Sequence, residues 1–313
     1  MEFEKEILDI EKKINELKKF SQEKNIDLNG EINKLIEERE KKIEEIYCNL
    51  SDWDRVHIAR HPDRPYTMDY IENMTDNFIE LHGDRLFKDD PAIIGGLCKI
   101  DGKRVMVVGN QKGRTTDEKI HRNFGMANPE GYRKSLRLFK MAERFNIPIV
   151  TFIDTPGAYP GIEAEEHGQG EAIARNLLEM AGIKVPIISI VIGEGGSGGA
   201  LALGVADKVY MMENAVYSVI SPEGCAAILF KDSTKAAEAA ESLKISAKNL
   251  LDLEVIDEIV KEPLGGAHRD HICSANNLKS IILSSISLLE KIDVDTLLKN
   301  RYNKFRKMGK YIE

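Results

Sequence analysis

Cysteine is scarce in this sequence, and its spacing excludes two kinds of cysteine-based site. The 313 residues contain four cysteines, Cys48, Cys98, Cys225 and Cys273, and no two of them form a C-x-x-C pair. A zinc ribbon needs closely spaced cysteine pairs, and a disulfide framework is typical of small secreted chains. We therefore expect ordinary reduced thiols and no metal site on this chain.

Long apolar runs and an excess of positive charge are also missing. No run reaches the roughly 18 apolar residues of a membrane-spanning helix, and the acidic N-terminus lacks the basic and apolar regions of a signal peptide. The formal net charge is −8, which argues against a nucleic-acid-binding surface. The sequence therefore predicts a cytoplasmic protein that binds neither a membrane nor a nucleic acid.

A phosphate-binding loop is absent as well. Residues 154–157, Asp-Thr-Pro-Gly, look like the magnesium-side loop of a GTPase. That chemistry also requires an upstream G-x-x-x-x-G-K-[ST] loop to bind the phosphates, and the sequence contains none. Nucleotide hydrolysis is therefore rejected.

The first 50 residues are strongly charged and contain few turn residues. They hold 14 acidic and 10 basic residues, and isoleucine and leucine recur at helical spacing on both sides of a break at residues 25–30. This pattern predicts two amphipathic helices in an N-terminal region, residues 1–55. The helices either pack as a hairpin on the rest of the chain or form a docking arm for a second chain. Residues 51–65 are polar and contain prolines, which predicts a linker.

The pattern after this region is typical of an α/β domain at residues 56–293, followed by a basic C-terminal helix at residues 294–313. Asp101-Gly102 lies between two β-like runs, which predicts a hairpin with a type I′ turn. Residues 147–153 and 185–192 are apolar, largely β-branched runs typical of strands buried on both faces. Further helices are predicted after each of these strands and over residues 236–248 and 281–302.

Two glycine-containing loops are expected to meet at one edge of the sheet, because open α/β sheets form their sites at the carboxyl ends of strands. Residues 154–161 follow the first buried strand, and the glycines of residues 193–199 follow the second. Glycines either permit tight turns only or let a ligand oxygen approach backbone N–H groups, which are unpaired at the start of a helix. The second interpretation predicts half of an oxyanion hole, with donors from Gly157 or Ala158 and from Gly198 or Gly199.

Several side chains beside these loops are candidates for contacts with a substrate. Lys112 and Arg114 lie on a glycine-containing loop after the hairpin and either bind a phosphate or carboxylate or are solvated. Tyr159 either stacks on a bicyclic ligand or fills its own loop. The residues expected to bind the substrate are Tyr159, Gly196, Ser197, Lys112, Arg114 and Arg122.

Ser197 also fits the G-x-S-x-G motif of hydrolases. Residues 195–199 satisfy this pattern between a strand and a helix, and His268 and His271 lie downstream as candidate bases. A five-residue pattern inside a glycine cluster matches easily, however. We therefore favour Ser197 as a small spacer in a tight turn.

Seven longer motifs between about residues 55 and 270 resemble the α subunit of the bacterial acetyl-CoA carboxylase carboxyltransferase. Their number and order make the resemblance specific. The motifs are R-H-P-x-R-P-Y at 60–66, E-L-H-G-D-R at 80–85, R-N-F-G-M at 122–126, D-T-P-G-A-Y-P-G at 154–161, G-E-G-G-S-G-G-A-L at 193–201, Y-S-V-I-S-P-E-G-C at 217–225 and E-P-L-G-G-A-H at 262–268.

The resemblance implies a crotonase-like fold, a spiral of β-β-α units preceded by helices. It implies an α₂β₂ assembly in which a zinc-ribbon β subunit supplies the other half of each active site. The family transfers a carboxyl group from carboxybiotin, presented by the biotin carboxyl carrier protein, to acetyl-CoA, and the malonyl-CoA formed serves fatty acid synthesis. Biotin carboxylase completes the complex. No cofactor is then bound covalently to this chain, and zinc is expected on the β subunit only.

The resemblance also implies a mechanism with two oxyanion holes. One, on the β subunit, holds the enolate of acetyl-CoA, and the other, on this chain, polarises the biotin ureido oxygen as CO₂ is released. The freed biotin nitrogen then takes the methyl proton, so no protein base is required. Gly157, Ala158, Gly198 and Gly199 take the donor role by their matching positions. Two rivals are a stand-alone crotonase-type hydratase or decarboxylase acting on acyl-CoA, and an inactive scaffold.

Overall fold

The computed structural model describes residues 2–309, called the described chain below. It contains the helices α1 Lys5–Lys24, α2 Asn29–Cys48, α3 Asp52–Ala59, α4 Thr67–Met74, α5 Thr116–His121, α6 Pro129–Arg144, α7 Ile162–Glu166, α8 Gln169–Ala181, α9 Ser197–Gly204, α10 Pro222–Leu229, α11 Ala236–Leu243, α12 Ala247–Asp252, α13 His271–Leu289 and α14 Val294–Lys307. The strands are β1 Asp76–Glu80, β2 Ile93–Ile100, β3 Lys103–Asn110, β4 Ile149–Thr155, β5 Ile187–Gly196, β6 Lys208–Met212, β7 Val216–Ser218 and β8 Glu258–Val260.

The strands form one mixed sheet in the order β1-β2-β3-β4-β5-β6-β8, and β7 pairs with β5. The pairs β1–β2 and β2–β3 are antiparallel, whereas the pairs β3–β4, β4–β5, β5–β6, β5–β7 and β6–β8 are parallel. β5 is long enough to pair with β6 over residues 188–191 and with β7 over residues 194–196. The chain therefore has an α/β fold. On one side of β5, its first half pairs with β6 and its end pairs with β7.

The predicted hairpin is formed by β2 and β3. Asp101 and Gly102 both have positive φ, 45° and 79°, as a type I′ turn requires. Ile93 lies opposite Asn110 and Ile100 opposite Lys103, so the register follows directly from the two-residue turn. The hairpin prediction is confirmed.

The core lies around β4 and β5. All seven residues of β4 and the first nine residues of β5 are buried. α9 packs on both strands, and α6 packs on β2 and β3. Helices on the sheet remove these β-branched strands from water, which accounts for their nearly continuous apolar sequence. Both strands were predicted from this pattern.

The N-terminal helices pack on each other and on the main body. Ile7 and Ile14 of α1 and Ile32 and Ile43 of α2 are buried in their contact. Glu4, just before α1, is bonded to Arg269 and other residues of this junction. Within this chain, the two helices therefore form the predicted hairpin that packs on the main body. A role as a docking arm for a second chain stays a prediction.

The predicted linker at residues 51–65 is wrong, because it contains α3. Ser51 and Asp54 form a capping box at the start of this helix, and Val56 and Ile58 are buried. Arg64 is fully buried against other parts of the chain. The prolines of this segment follow the helix and do not interrupt it.

Two helix predictions in the second half of the chain need correction. Residues 236–248 form α11 and α12, which are separated at Lys244, a residue with φ of 53°. Residues 281–302 belong to α13 and α14, because Asp293 caps a new helix by accepting from the N–H of Thr296 at 3.0 Å. The last four residues of the predicted helix at 294–313 lie outside the described chain.

Among the helices of residues 2–309, α13 is long and apolar enough to cross a membrane by length and composition alone. Its residues Ala275, Leu278, Ile282 and Ile286 are buried in the same core as the central strands. This packing accounts for its apolar composition, since a helix that lines a core passes the same test.

Candidate active site

The two glycine loops follow neighbouring parallel strands. β4 pairs with β5 from Ile149 opposite Ile187 to Thr155 opposite Gly195. Thr155 is the last residue of β4, and α9 begins at Ser197, directly after β5. Residues 156–161 and the first turn of α9 therefore lie at the same edge of the sheet.

Gly199 packs on the peptide that joins Gly157 to Ala158. A Cβ added to Gly199 would lie 2.7 Å from the carbonyl carbon of Gly157 and 2.8 Å from the nitrogen of Ala158, well inside van der Waals contact. A Cβ added to Gly196 would overlap the carbonyl group of Pro156. Any side chain at these two glycines would separate the loops, so their contact depends on bare backbone.

The first turn of α9 presents backbone N–H groups without partners. Gly198 and Gly199 are its second and third residues, where the helix supplies no carbonyl acceptor. No side chain caps this turn, and no other group of the described chain accepts their N–H groups. The partial positive charge of a helix N-terminus makes this a favourable place for a negatively charged oxygen.

The two N–H groups of the first loop differ in their partners. The N–H of Gly157 donates to Oγ1 of Thr155 at 3.1 Å, whereas that of Ala158 finds no acceptor within residues 2–309. Gly157 has φ of +156°, a value that side chains disfavour. Of the two donors that the sequence leaves open, Ala158 is the one with a free N–H.

Ser197 lines an apolar cavity and has no catalytic base beside it. No histidine of the described chain hydrogen bonds to Ser197: the His268 ring stacks on His61 at 4.1 Å, and Nε2 of His271 lies 2.7 Å from the Asp63 carbonyl oxygen. The hydrolase interpretation therefore lacks its base, in agreement with the spacer role. The cavity measures about 270 Å³ and is lined by Ser197, Gly198, Leu201, Tyr217, Ser218, Val219, Leu250 and Val255.

Lys112 is held between two carboxylates at the ends of β4 and β5. Its Nζ lies 2.7 Å from Oδ1 of Asp154 and 2.8 Å from Oε1 of Glu194. The other oxygen of Glu194 accepts from Nε of Arg60 at 2.6 Å. Lys112 therefore ties the two strand ends together, and its charge is neutralised within the chain. Its ammonium group is therefore neither solvated nor unpaired, and its contact with a substrate stays a prediction.

The ionisation of this network follows from burial and pairing. Burial acts to raise the pKa of the Glu194 carboxyl, but Lys112 and Arg60 outweigh it and lower the pKa to about 2. Burial acts to lower the pKa of Lys112, but the two carboxylates raise it above its usual value. Burial raises the pKa of Asp154, whose Oδ2 has no hydrogen-bond partner within the described chain. Glu194 and Lys112 are therefore both charged near pH 7, where neither acts as a general base or acid.

Arg114 and Arg122 bond to other segments of the chain. Nη2 of Arg114 lies 2.6 Å from Oδ2 of Asp69, and its guanidinium lies 4.7 Å from the centre of the Tyr66 ring. Nη1 of Arg122 donates to the carbonyl oxygen of Pro91 at 2.8 Å. In the described chain no hydrogen bond joins either arginine to the glycine loops, and the contact of these two residues with a substrate stays a prediction.

Tyr159 folds over its own loop. A Cβ added to Gly161 would overlap the Tyr159 ring. The N–H of Tyr159 donates to the Ala127 carbonyl at 3.1 Å, and Nε2 of Gln169 donates to the carbonyls of both Tyr159 and Ala127. Of the two interpretations of this aromatic residue, the structure favours the one in which it fills the loop.

The structure adds three residues to which the sequence assigned no role: Arg60, Thr155 and Glu194. A signal for Glu194 was present, because it is the one charged residue in β5, and charges in buried strands are usually paired. Arg60 carries no comparable signal, since its partners Glu194 and Glu223 lie on other segments. Thr155 bonds to Gly157, two residues later in the same loop, a local contact to which the sequence analysis assigned no role.

Comparison with known proteins gives the same family along nearly the whole chain. Residues 1–309 match a family model described as "Acetyl co-enzyme A carboxylase carboxyltransferase-like". The chain is 65% identical over 309 residues to the Fusobacterium nucleatum "Acetyl-coenzyme A carboxylase carboxyl transferase subunit alpha", covering 99% of both chains. It is 58% identical over 313 residues to the protein of the same description from Geobacter metallireducens, covering 100% of this chain and 98% of the relative.

Solved structures with the same fold are more distant in sequence. Transcarboxylase 12S, with hydrolysed methylmalonyl-coenzyme A bound, superposes with a TM-score of 0.60 at 19% identity, over 76% of this chain and 45% of its own. The β subunit of Pseudomonas aeruginosa geranyl-CoA carboxylase gives a TM-score of 0.55 at 16% identity, over 76% and 45% of the two chains. This chain spans less than half the length of these proteins, and the likeness establishes the crotonase-like carboxyltransferase fold.

Proposed function

The chain belongs to the family of acetyl-CoA carboxylase carboxyltransferase α subunits, and on this premise we propose that its two glycine loops form an oxyanion hole for the carboxyl donor. The family activity is the carboxyltransferase step that forms malonyl-CoA for fatty acid biosynthesis. Biotin, which is carried elsewhere in the complex, supplies the carboxyl group. The proposal concerns what the residues of this chain contribute to that step.

The observation that carries the proposal is the packing of Gly199 on the Gly157–Ala158 peptide. No Cβ separates Gly199 from the Gly157–Ala158 peptide. The loop that carries the free N–H of Ala158 therefore directly contacts the helix turn that carries the unpaired N–H groups of Gly198 and Gly199. Backbone donors held in this way are already oriented before reaction and stabilise negative charge on a nearby oxygen. Loss of one such donor typically lowers the rate by about 10²–10³-fold.

The surroundings of these donors suit the ureido ring of biotin. Its carbonyl oxygen needs hydrogen-bond donors, which the loops supply, and its fused rings need an apolar surface. The cavity of about 270 Å³ next to Ser197 and Gly198 offers that surface through Leu201, Val219 and Val255. We assign Ser197 to the wall of this cavity, Gly196 to the contact with Pro156 of the first loop, and Gly157 to the backbone shape of that loop.

The charged residues beside the loops support a mechanism without a protein base. Glu194 is ionised between two cations, and Lys112 is bonded to two carboxylates. Both groups hold the strand ends in place and carry no proton to or from the reactants near pH 7. The proton removed from the methyl group of acetyl-CoA therefore goes to the biotin nitrogen that has lost the carboxyl group.

The assembly follows from the same premise. An α subunit implies a β subunit, and we propose the α₂β₂ form, with a zinc ribbon and the second oxyanion hole on the β chain. The carrier protein and biotin carboxylase complete the proposed complex, which we place in the cytoplasm. We also propose the division into a helical N-terminal region, a carboxyltransferase domain and a basic C-terminal helix.

Reconstitution tests this proposal. Carboxyl transfer between malonyl-CoA and biocytin is measured with this chain alone, with the β subunit alone and with both, and the mass of each mixture is determined. We expect activity only in the mixture, at a mass of two copies of each chain. Activity of this chain alone would instead establish a self-contained crotonase-type enzyme, and an assembled mixture without transfer would leave the scaffold alternative.

A further inference from the structure

Thr155 contacts both polar groups of Gly157 through a single hydroxyl. Its Oγ1 accepts from the N–H of Gly157 at 3.1 Å and donates to the carbonyl oxygen of Gly157 at 2.7 Å. A threonine hydroxyl has one hydrogen to donate and two lone pairs to accept with, so it can make both bonds at once. Thr155 is fully buried, and water does not compete for these bonds.

These two bonds determine which N–H of the loop is free. The bond to the N–H of Gly157 occupies that donor. The bond to the Gly157 carbonyl fixes the plane of the next peptide, and because a trans peptide is planar, its N–H points opposite to its C=O. The carbonyl points towards the Thr155 side chain, so the N–H of Ala158 points away from it. Gly199 lies against this same peptide and limits its rotation.

We propose that Thr155 is the positioning residue that makes Ala158 the oxyanion donor of the first loop. The hydroxyl does not touch the substrate, and it acts by holding the Gly157–Ala158 peptide in one orientation. Without it, the buried N–H and C=O of Gly157 lose their partners, which is costly enough to drive the peptide to rotate. This inference rests on the proposed oxyanion hole and names the residue that selects its donor.

The main test replaces Thr155 with valine in the complex reconstituted with the β subunit. Valine keeps the shape and removes the hydroxyl, so we expect kcat for transfer between malonyl-CoA and biocytin to fall by about 10- to 10²-fold, a part of the loss of a whole donor. Thr155→Ser keeps the hydroxyl and removes a buried methyl group. It should retain kcat within about threefold, although it loses packing that valine keeps.

Thr151→Val is the matched control. Thr151 lies on the same strand, is equally buried, and its Oγ1 bonds to Ser189 and to the carbonyl of Leu203, away from the loops. Its loss should lower thermal stability and leave kcat within about twofold, since stability changes away from a site leave the site intact. If Thr155→Val does not assemble, Thr155→Cys replaces it, because its thiol lies where the hydroxyl was but is only a weak donor and acceptor. Both Thr155→Cys and Thr155→Ser lack the methyl group, so kcat should be lower in the cysteine variant, and equal kcat in the two would overturn the positioning role.

A double variant separates this inference from the proposed function. If Thr155 and Gly199 support the same donors, Thr155→Val should have little further effect in a Gly199→Ala chain. Full activity of Thr155→Val, equal losses in the valine and serine variants, or fully multiplicative losses in the double variant would each overturn the positioning role. Full activity of Gly199→Ala would instead overturn the oxyanion hole itself.

Discussion

Gly198 and Gly199 are neighbours in the sequence with different surroundings in the fold. Both belong to the first turn of α9 and have unpaired N–H groups. A Cβ at position 198 would meet only the Ile173 side chain, at 3.5 Å, which is ordinary contact. A Cβ at position 199 would lie 2.7 Å from the Gly157 carbonyl carbon, where neither backbone can move without separating the loops.

Alanine should therefore lower activity strongly at position 199 and only slightly at position 198. We expect Gly199→Ala to lower kcat by about 10²-fold or more, the loss typical of an oxyanion donor, and Gly198→Ala to retain kcat within about threefold. Steady-state transfer between malonyl-CoA and biocytin by the assembled complex measures both. Equal activity of the two variants would contradict the contact between the loops. Proline is unsuitable at position 199, because it brings a Cβ as well as removing the N–H.

At the scale of elements, the N-terminal hairpin is fastened to the body by a buried carboxylate. Glu4 accepts from the hydroxyl of Tyr47 at 2.6 Å and from Nη2 of Arg269 at 3.2 Å, and Arg269 also bonds to Glu11 of α1 at 2.5 Å. Burial acts to raise the pKa of Glu4, but the nearby His268, whose Nε2 lies 3.7 Å from Oε1 of Glu4, and the hydrogen bonds from Tyr47 and Arg269 outweigh it and lower the pKa from 4.5 to about 2. The ionised form therefore stabilises the docked hairpin.

Glu4→Gln should loosen the hairpin. Replacing a charged acceptor by a neutral one weakens bonds worth about 1.5–3 kcal/mol each, so amide exchange in α1 and α2 should accelerate while the sheet is unchanged. Hydrogen exchange read by mass spectrometry measures this. Glu6→Gln is the control, because Glu6 pairs with Lys42 at 2.8 Å at an exposed position.

In the unmodified chain the contribution of Glu4 to the stability of the docked hairpin should be present above pH 4.5 and be lost as the pH falls towards 2. Identical exchange in the two variants would contradict this fastening.

At the scale of the whole molecule, one buried ion pair joins segments from distant parts of the chain. The side chains of Arg64 and Glu262 are both buried and share two hydrogen bonds, of 3.1 and 2.6 Å. Arg64 also donates to the carbonyl of Ile192 in β5, and Glu262 accepts from the N–H of Asn214. The pair thus connects the segment before α4 with β5, the turn after β6 and the end of β8.

Breaking this pair should destabilise the entire domain. Glu262→Gln leaves a buried guanidinium without its counter-charge, and we expect the free energy of unfolding at pH 7 to fall by about 3–5 kcal/mol. Urea unfolding measures it, with the exposed Glu258→Gln on the same region as the control, expected within about 0.5 kcal/mol of the unmodified chain.

The pH dependence of that difference has a definite sign. Burial acts to raise the pKa of Glu262, but Arg64 outweighs it and lowers the pKa from 4.5 to about 2. A carboxyl with a depressed pKa stabilises the fold above its unfolded pKa, so the difference between Glu262→Gln and the unmodified chain should narrow as the pH falls from 4.5 towards 2. A difference that stayed constant across this window would contradict the assignment.

The order of elements around the site was predictable from sequence, because it depends on near neighbours. The Asp101-Gly102 turn, the buried runs of β4 and β5 and the glycine loops after them all follow from periodicity and turn chemistry over a few residues. Where prediction failed, a local signal was overridden: prolines indicated a linker at residues 51–65, but the Ser51 cap and the buried Val56 favour α3.

The sequence by itself therefore determined the fold class, the two loops and the family, since these are encoded in contiguous motifs. Only the tertiary structure decided which groups of the site are free. Lys112 is neutralised by Glu194, 82 residues away, and the N–H of Gly157 is occupied by Thr155, whereas the N–H of Ala158 has no acceptor in the described chain. Neither outcome can be read from spacing, because each depends on where a folded backbone directs a side chain and on what burial makes it bind.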